Sequence, residues 1–274
     1  MQRLPSLIQK SVFTRSYYSK MPHAVTIAKQ KVIVNGCTND DEFNKVMSFE
    51  PFKDWLSAFN KQQEEREEEL KLESIDIQNI DYFKSDKIGF IKFKTNAVYN
   101  ETGKSVPGIV FMRGGAVSMM IILRTKEEKD KLILTLQPRI PVPHLSFPEL
   151  PAGMLDGSGN FSGTAAKEIE EETGLQIKEN ELVDLTELAY GDQWKGAYTS
   201  AGGSDEFLRL FVCIKQMEKS KVEKLEGKLT GLRDQGESIT LKLVNLEDAW
   251  KHSPDVKLLS SLALYNALKS KIDQ

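Results

Sequence analysis

Residues 153–175 constrain the fold of this chain most, because they join a tight turn, a glycine-rich loop and an acidic helix. The preceding Leu-Pro-Ala-Gly sequence, residues 150–153, is typical of a strand end followed by a turn. The loop behind it is pliable because it contains Gly157, Gly159 and Gly163. Residues 164–173 then predict a helix, with Ser162 as its N-cap and Gly174 as its C-cap.

Three glutamates share one face of this predicted helix. Glu168, Glu171 and Glu172 lie at positions i, i+3 and i+4, so their carboxylates are neighbours. Such carboxylates repel one another unless a cation lies among them, and their hard oxygen atoms suit Mg²⁺ or Mn²⁺. A solvated acidic face is the alternative interpretation. The position of the helix behind an apolar strand and a glycine-rich loop favours a metal site.

The spacing of these residues resembles the Nudix box. That motif is a glycine, five residues, a glutamate, seven residues, then Arg-Glu-bulky-any-Glu-Glu-any-Gly-bulky. The matching positions are Gly153, Glu168, Ile169, Glu171, Glu172, Gly174 and Leu175. Two positions depart, because Gly159 replaces the loop glutamate and Lys167 replaces the arginine. In the family those two residues chiefly brace the loop, so the departures affect loop rigidity more than metal binding.

The Leu-Pro-Ala-Gly sequence before the box is similar to the branch that hydrolyses ADP-sugars, and the chain looks closest to plant-type ADP-sugar diphosphatases. The resemblance covers residues from about 50 to 270. It implies an α/β fold, the α/β/α Nudix sandwich with a mixed sheet, plus a small N-terminal α+β accessory region. It also implies a homodimer and Mg²⁺-dependent hydrolysis of ADP-ribose or ADP-glucose to AMP and a sugar 1-phosphate.

The same resemblance assigns roles to individual residues. The implied metal ligands are the Ala152 carbonyl and the carboxylates of Glu168, Glu171, Glu172 and Glu237. The implied catalytic carboxylates are Glu171, Glu237 and Glu206. Glu237, just before a predicted strand, is expected to take the proton of the attacking water, with Glu206 as the second choice. For Glu206, the end of a turn is the alternative role.

Two arginines are candidates for binding the diphosphate. Arg139 lies in a proline-rich segment just before the box, and its guanidinium could hold a phosphate bidentately. The alternative is an ordinary surface arginine. The family has a phosphate-contacting arginine at this point, and Arg113 is a weaker candidate for the same role.

The region after the box carries candidates for binding the base. Residues 183–189 predict a strand, and residues 191–204 predict a long loop that contains Trp194 and Tyr198. These aromatic rings could stack on adenine, whereas core packing is an equally good explanation for Trp194.

The chain divides into three regions. Residues 1–24 contain basic and hydroxyl side chains and no acidic residue, the pattern of a mitochondrial presequence. A disordered basic tail is the alternative, and Met21 could start a cytosolic form. Residues 25–105 are expected to form the accessory, dimerising region, and residues 106–274 the Nudix domain.

Composition narrows the classes of function. The 274 residues are 40% hydrophobic and 28% charged, with a formal net charge of −3, which is typical of a globular protein. The slight acidity gives no support to nucleic-acid binding, and no apolar run approaches the length of a membrane span. Cys37 and Cys213 are far apart and are expected to be free thiols, with Cys213 in the core.

Two other functions remain open. Gly159 and Lys167 favour a catalytically weak domain that binds a nucleotide as a sensor, whereas the retained glutamates count against it. A hydrolase of another nucleoside diphosphate derivative, such as a UDP-sugar, would carry the same box.

Overall fold

The computed structural model describes residues 23–66, 69–83, 86–126, 128–155, 160–232 and 238–272, and these form two β-sheets. The first sheet contains β1 (His23–Ile27), β2 (Gln30–Asn35), β3 (Leu70–Phe83), β4 (Lys87–Tyr99), β5 (Ser105–Val106) and β6 (Ile109–Met112). Its order is β1-β2-β3-β4-β5, and β6 also pairs with β4. The predicted boundary between residues 105 and 106 falls within β5, and β6, which follows it, also pairs within this sheet.

Two helices cover one face of the first sheet. They are α1 (Asp40–Ser48) and α2 (Glu50–Glu65), and they form the crossover that the parallel pairing of β2 with β3 requires. Phe52 and Val46 are fully buried against Phe93 and its neighbours. Pro51 occupies the first turn of α2, where a missing N–H does no harm.

The second sheet has nine strands in a mixed arrangement. They are β7 (Ala116–Arg124), β8 (Lys131–Arg139), β9 (His144–Glu149), β10 (Ala152–Met154), β11 (Val183–Asp184), β12 (Ala197–Tyr198), β13 (Phe207–Gln216), β14 (Leu229–Thr230) and β15 (Ile239–Asn245). The main order is β11-β13-β7-β8-β15-β14, with β9 on β8, β10 on β7 and β12 on β13. β13 and β7 are parallel, and β7 is buried over nearly its whole length, as a central strand requires.

Helices lie on both faces of the second sheet. α3 (Phe161–Thr173) and α5 (Lys219–Glu223) contribute Ala165, Ile169 and Val222 to one hydrophobic core. α4 (Leu185–Tyr190) and α6 (Val256–Ile272) contribute Leu185, Leu258 and others to the core on the opposite face. The predicted α/β/α sandwich with a mixed sheet and an N-terminal α+β region is thus confirmed. Within the described ranges, no helix is both long enough and apolar enough to span a membrane.

Two local predictions need correction. The strand predicted at residues 183–189 is wrong beyond Asp184, because the Asp184 side chain accepts a hydrogen bond from the Glu187 N–H at 2.9 Å and starts α4. The N-cap of α3 is Asn160 rather than Ser162, since its Oδ1 accepts from the Gly163 N–H at 2.9 Å. Gly174 is the predicted C-cap, with a left-handed φ of 70°.

The two sheets meet at the short segment between β6 and β7. Both carboxylate oxygens of Asp205 accept backbone hydrogen bonds there, from Arg113 N at 2.8 Å and Gly114 N at 3.0 Å. Gly114 has φ +84°, and a Cβ built on it would lie 2.7 Å from the Pro51 ring of α2. The backbone of this joint is consequently held from both sides.

Candidate active site

Glu172 ties the acidic helix to the turn before it. Its side chain is almost completely buried, at 6% exposure, and its Oε2 accepts a hydrogen bond from the Ala152 N–H at 3.1 Å. The last turn of α3 therefore lies beside the first residue of β10. The sequence predicted both residues at the site, and the structure brings them into direct contact.

Glu168 packs against the next residue along the same strand. A Cβ built on Gly153 would overlap the carboxyl carbon of Glu168, which is closer than any real Cβ contact. Glycine at position 153 thus allows the Glu168 carboxylate to lie directly against the backbone of β10. This contact gives a physical reason for the glycine that opens the motif.

Glu171 lies on the more exposed side of the helix, with a quarter of its side chain accessible. Lys167 Nζ approaches Glu171 Oε1 at 3.6 Å, and the backbone N–H of Gly231 donates to the Glu171 carbonyl at 3.3 Å. The neighbouring Thr230 hydroxyl donates to the Glu172 carbonyl. The segment that leads towards residues 233–237 consequently borders the acidic helix, while Glu237 itself, like Gly159, lies outside the described residues.

The donor chemistry of this turn fits a hard divalent cation. Glu168 and Glu172 present carboxylate oxygens next to the backbone of Ala152 and Gly153, and oxygen ligands of this kind suit Mg²⁺ or Mn²⁺. Among the residues that the structure describes, no cluster of three or more histidine, cysteine, aspartate or glutamate side chains is close enough to hold a metal.

Arg139 is anchored close to the same turn. Its Nε donates to Glu149 Oε1 at 2.6 Å, and the side chain remains 39% exposed. Glu149 ends β9 three residues before Ala152, so their Cα atoms are at most about 10 Å apart. Arg139 is thus a partly exposed guanidinium with a buried carboxylate partner, near the contact that Glu172 makes.

Arg113 and Glu206 contact each other instead of the acidic helix. Arg113 Nη1 lies 3.2 Å from Glu206 Oε1, and the Thr199 hydroxyl donates to Glu206 Oε2 at 2.9 Å. Arg113 also lies over the Phe90 ring, 5.7 Å from its centroid. Both carboxylate oxygens of Glu206 are therefore engaged by neighbouring side chains of this region.

The adjoining Asp205 has a perturbed ionisation. Burial raises the pKa of its carboxyl above the ordinary value, while the hydrogen bonds from the Arg113 and Gly114 backbone oppose that rise. Asp205 is therefore a structural carboxylate of the joint between the sheets. It was not among the predicted site residues.

A cavity of about 630 Å³ opens beside the acidic helix. Glu168, Lys167 and Arg113 line one side of it. The N-terminal region forms another part of its wall, with Lys45, Lys87, Phe49 and Phe83. The sequence did not predict this wall. Hydrophobic patterns predict strands and helices in the N-terminal region, but they do not show which of those residues will lie beside the acidic helix.

The aromatic loop is on the surface. Trp194 and Tyr198 are both more than 40% exposed and meet edge to face, with ring centroids 6.1 Å apart. Core packing therefore does not explain Trp194. Lys195, between them, pairs with Asp54 of α2 at 2.7 Å and attaches this loop to the N-terminal region.

This chain is similar to proteins of one known family. The family model described as "NUDIX domain" matches residues 112–262. "Nudix hydrolase 14, chloroplastic" from Arabidopsis thaliana is 36% identical over 254 residues, which is 90% of this chain and 81% of the relative.

Two more distant similarities accompany it. "ADP-ribose pyrophosphatase" from Bacillus subtilis is 29% identical over 165 residues, 60% of this chain and 73% of the relative. A solved structure titled "Crystal structure of ADP compounds hydrolase" aligns with 73% of this chain and 97% of its own, with 15% identity and a TM-score of 0.47.

Proposed function

This chain belongs to the Nudix hydrolase family, and on that premise we propose that it hydrolyses the diphosphate of ADP-sugars, ADP-ribose and ADP-glucose, to AMP and a sugar phosphate. The observation that carries the proposal is the convergence of Glu172 and Glu168 on consecutive residues, Ala152 and Gly153. The name of the B. subtilis relative and the Leu-Pro-Ala-Gly sequence before the box support this class of substrate.

Nudix hydrolases generally use divalent metal ions, and the residues at the turn would hold one. Mg²⁺ or Mn²⁺ on Glu168, Glu171, Glu172, Glu237 and the Ala152 carbonyl would neutralise diphosphate charge and lower the pKa of water. The burial of Glu172 and the absence of a side chain at Gly153 would hold the two ligand carboxylates in place before the metal binds.

The remaining steps belong to side chains of this chain. Arg139 would bind the diphosphate through its exposed guanidinium and hold the phosphorus in line with the attacking water. Glu237 would accept the proton of that water as the new phosphorus–oxygen bond forms. The anhydride bond then breaks, and one phosphate ester leaves with the electron pair. Trp194 and Tyr198 provide exposed rings on which adenine could stack.

A turnover panel tests the proposal. Purified protein lacking residues 1–20 would be given ADP-ribose, ADP-glucose, UDP-glucose, NADH and a dinucleoside polyphosphate, with Mg²⁺ or with excess chelator, and AMP or UMP release would be measured. We expect metal-dependent AMP release from the ADP-sugars alone. UMP release from UDP-glucose as the main activity would assign the enzyme to UDP-sugars instead.

The same panel separates the enzyme from a nucleotide sensor. Lys167, beside Glu171, replaces the arginine of the motif, and this departure is the observation that favours a nucleotide sensor. Calorimetric binding of ADP-ribose without turnover of any compound would establish the sensor and reject the diphosphatase.

We also infer an organellar, mitochondrial location and a homodimer. Residues 1–24 are basic and free of acidic side chains, and the name of the Arabidopsis relative states a chloroplast location for that protein. Import of the full-length chain into isolated mitochondria, compared with a chain that starts at Met21, tests the location. Light scattering of the purified protein tests the dimer, and a monomeric mass would reject it.

A further inference from the structure

The side chain of Glu149 lies buried between two cations, Arg139 and Lys257. We propose that Glu149 and Lys257 are positioning residues, which turn the Arg139 guanidinium so that its terminal amino groups meet the substrate diphosphate. The inference rests on the proposed function, because it assigns to Arg139 the binding of phosphate. Neither Glu149 nor Lys257 is predicted at the site by the sequence motif.

The two oxygens of Glu149 are divided between the two cations. Arg139 Nε donates to Oε1 at 2.6 Å, and Lys257 Nζ donates to Oε2 at 2.8 Å, with only 2% of the glutamate side chain exposed. Arg139 is therefore held through the Nε at the inner edge of its guanidinium. The terminal amino groups carry four further N–H donors, which can bind a phosphate pair.

Lys257 is itself fixed by a second carboxylate. Its Nζ lies 3.1 Å from Asp255 Oδ1, and the lysine side chain is only 15% exposed. Asp255 immediately precedes α6, and its N–H donates to the Ser253 hydroxyl at 3.1 Å. The start of α6 thus holds Lys257 in place, and two carboxylates balance the two cations.

Lys257 has a specific consequence for Arg139. A carboxylate with two free oxygens takes an arginine in the bidentate manner, which would occupy terminal amino groups of Arg139. Because Lys257 occupies Oε2, Glu149 offers Arg139 a single oxygen. Buried ion networks are weak contributors to stability compared with apolar packing, so a role in orientation explains this network better than stability does.

The location of the network agrees with this role. Glu149 lies on the segment that continues through Leu150 and Pro151 to Ala152, whose N–H donates to Glu172. The Thr135 hydroxyl also approaches the Glu149 carbonyl, at 3.4 Å, and keeps the end of β9 on β8. One short segment therefore positions both the guanidinium for phosphate and a carboxylate of the predicted metal site.

A double-mutant cycle tests the inference. Lys257→Met should lower kcat/KM for ADP-ribose on the order of tenfold, mainly through KM, because Glu149 can then draw terminal amino groups of Arg139 away from the phosphates. In an Arg139→Gln background the same Lys257→Met change should have no further effect. Glu149→Gln should likewise raise KM, since an amide provides one acceptor where two cations need one each. Melting temperatures are measured for every variant.

Lys251→Met is the matched control, because this exposed lysine pairs only locally with Asp248 among the ion pairs of the described chain. Its kinetics should equal those of the wild type. Equal losses from Lys257→Met with and without Arg139 would overturn the inference and leave a purely structural network.

The order of measurement separates this inference from the proposed function. An active wild type with an equally active Arg139→Gln variant rejects the inference and leaves the diphosphatase standing. If the wild type turns over no nucleotide sugar, the diphosphatase is rejected, and the cycle is repeated with the Kd of ADP-ribose. Additive effects of Lys257→Met and Arg139→Gln on that Kd, or no binding, would reject the inference too.

Discussion

Glu168 can lie against β10 because position 153 carries no side chain. Gly153→Ala would push the Glu168 carboxylate away from the strand. We expect kcat to fall about hundredfold, since displacements of 1 Å at a catalytic centre have effects of that size. The measurement is kcat for AMP release. Gly202→Ala is the control, because no atom lies within 4 Å of a Cβ built there. Full activity of Gly153→Ala would show that the exact position of Glu168 is unimportant.

Glu172 combines burial with a hydrogen bond that an amide can keep. In Glu172→Gln the amide oxygen can still accept from Ala152 N, so the melting temperature should change little. Turnover should fall about 10²- to 10³-fold, because the negative charge of a proposed metal ligand is lost. Glu170→Gln, an exposed glutamate of the same helix, should keep wild-type rates. Near-normal turnover by Glu172→Gln would contradict the assigned metal site.

The two cysteines allow a prediction about reactivity. Both are free thiols, as the sequence predicted, and burial raises the pKa of Cys37 and of Cys213 to about 11. The thiolate fraction at pH 8 is thus roughly a hundredfold below that of an ordinary thiol. A colorimetric thiol reagent should react slowly with the native protein at pH 8 and rapidly with both thiols in denaturant. Fast native reaction would show that the thiols are accessible and ionised.

The spacing of residues in the sequence predicted the site residues that belong to one short motif. It could not predict contacts between residues that are far apart in the sequence. Glu168 and Glu172 are four residues apart on one helix, so helix geometry places them on the same face, and Gly153 belongs to the same short motif. The bond from Lys257 to Glu149 joins positions 108 residues apart. No local pattern marks either residue as a partner of Arg139, because that pairing depends on the fold bringing the start of α6 to the end of β9.

At the level of the structural elements, α3 begins next to two residues that could serve as its N-cap. Asn160 and Ser162 are both residues that favour an N-cap, and only Asn160 accepts from the helix backbone. Asn160→Ala should lower the free energy of unfolding by about 1 kcal/mol, and the melting temperature by about 2–4 °C. Ser162→Ala should have little effect. Urea and thermal unfolding of both variants measure this, and the opposite ranking would return the cap to Ser162.

The correction at residues 183–189 has a related cause. The sequence Val-Asp-Leu-Thr-Glu-Leu-Ala fits a strand or a short helix, since short apolar runs are ambiguous. Two contacts with β13 decide between them, because Arg209 lies 2.7 Å from both Asp184 and Glu187. These pairs fix the first turn of α4. Arg209 lies more than twenty positions away in the sequence, so a pattern within residues 183–189 cannot reveal its effect.

For the whole molecule, the joint between the two sheets gives a prediction about pH. Asp205 has a raised pKa in the folded state, so its contribution to stability is largest below the unfolded value near 3.8 and decreases as pH rises through the folded value. Relative to Asp205→Asn, the wild type should therefore become less stable between pH 4 and pH 7. Urea unfolding of both proteins across this range tests the sign. A constant difference would mean that Asp205 has the same pKa when folded and unfolded.

The sandwich and its mixed sheet were predictable, whereas the contribution of the N-terminal region to the cavity was not. The resemblance of residues 153–175 to the Nudix box was enough to predict the mixed second sheet and the helices on its two faces. The wall with Lys45 and Lys87 depends on how α2 packs at Gly114 and on the ion pair of Lys195 with Asp54. These are contacts between regions, and a single sequence contains no signal for them.

The parallel pair of β7 and β13 also determines when the second sheet can assemble. Ala116 pairs with Leu208, so the ribosome must add about ninety residues after β7 begins before its central partner exists. The first sheet has all its strands by Met112 and can form much earlier. During that interval β7 exposes an almost continuous apolar strand, Ala-Val-Ser-Met-Met-Ile-Ile-Leu, with an open edge. Chains that stop before Gln216 should therefore aggregate, and nascent chains of intermediate length are the expected clients of chaperones.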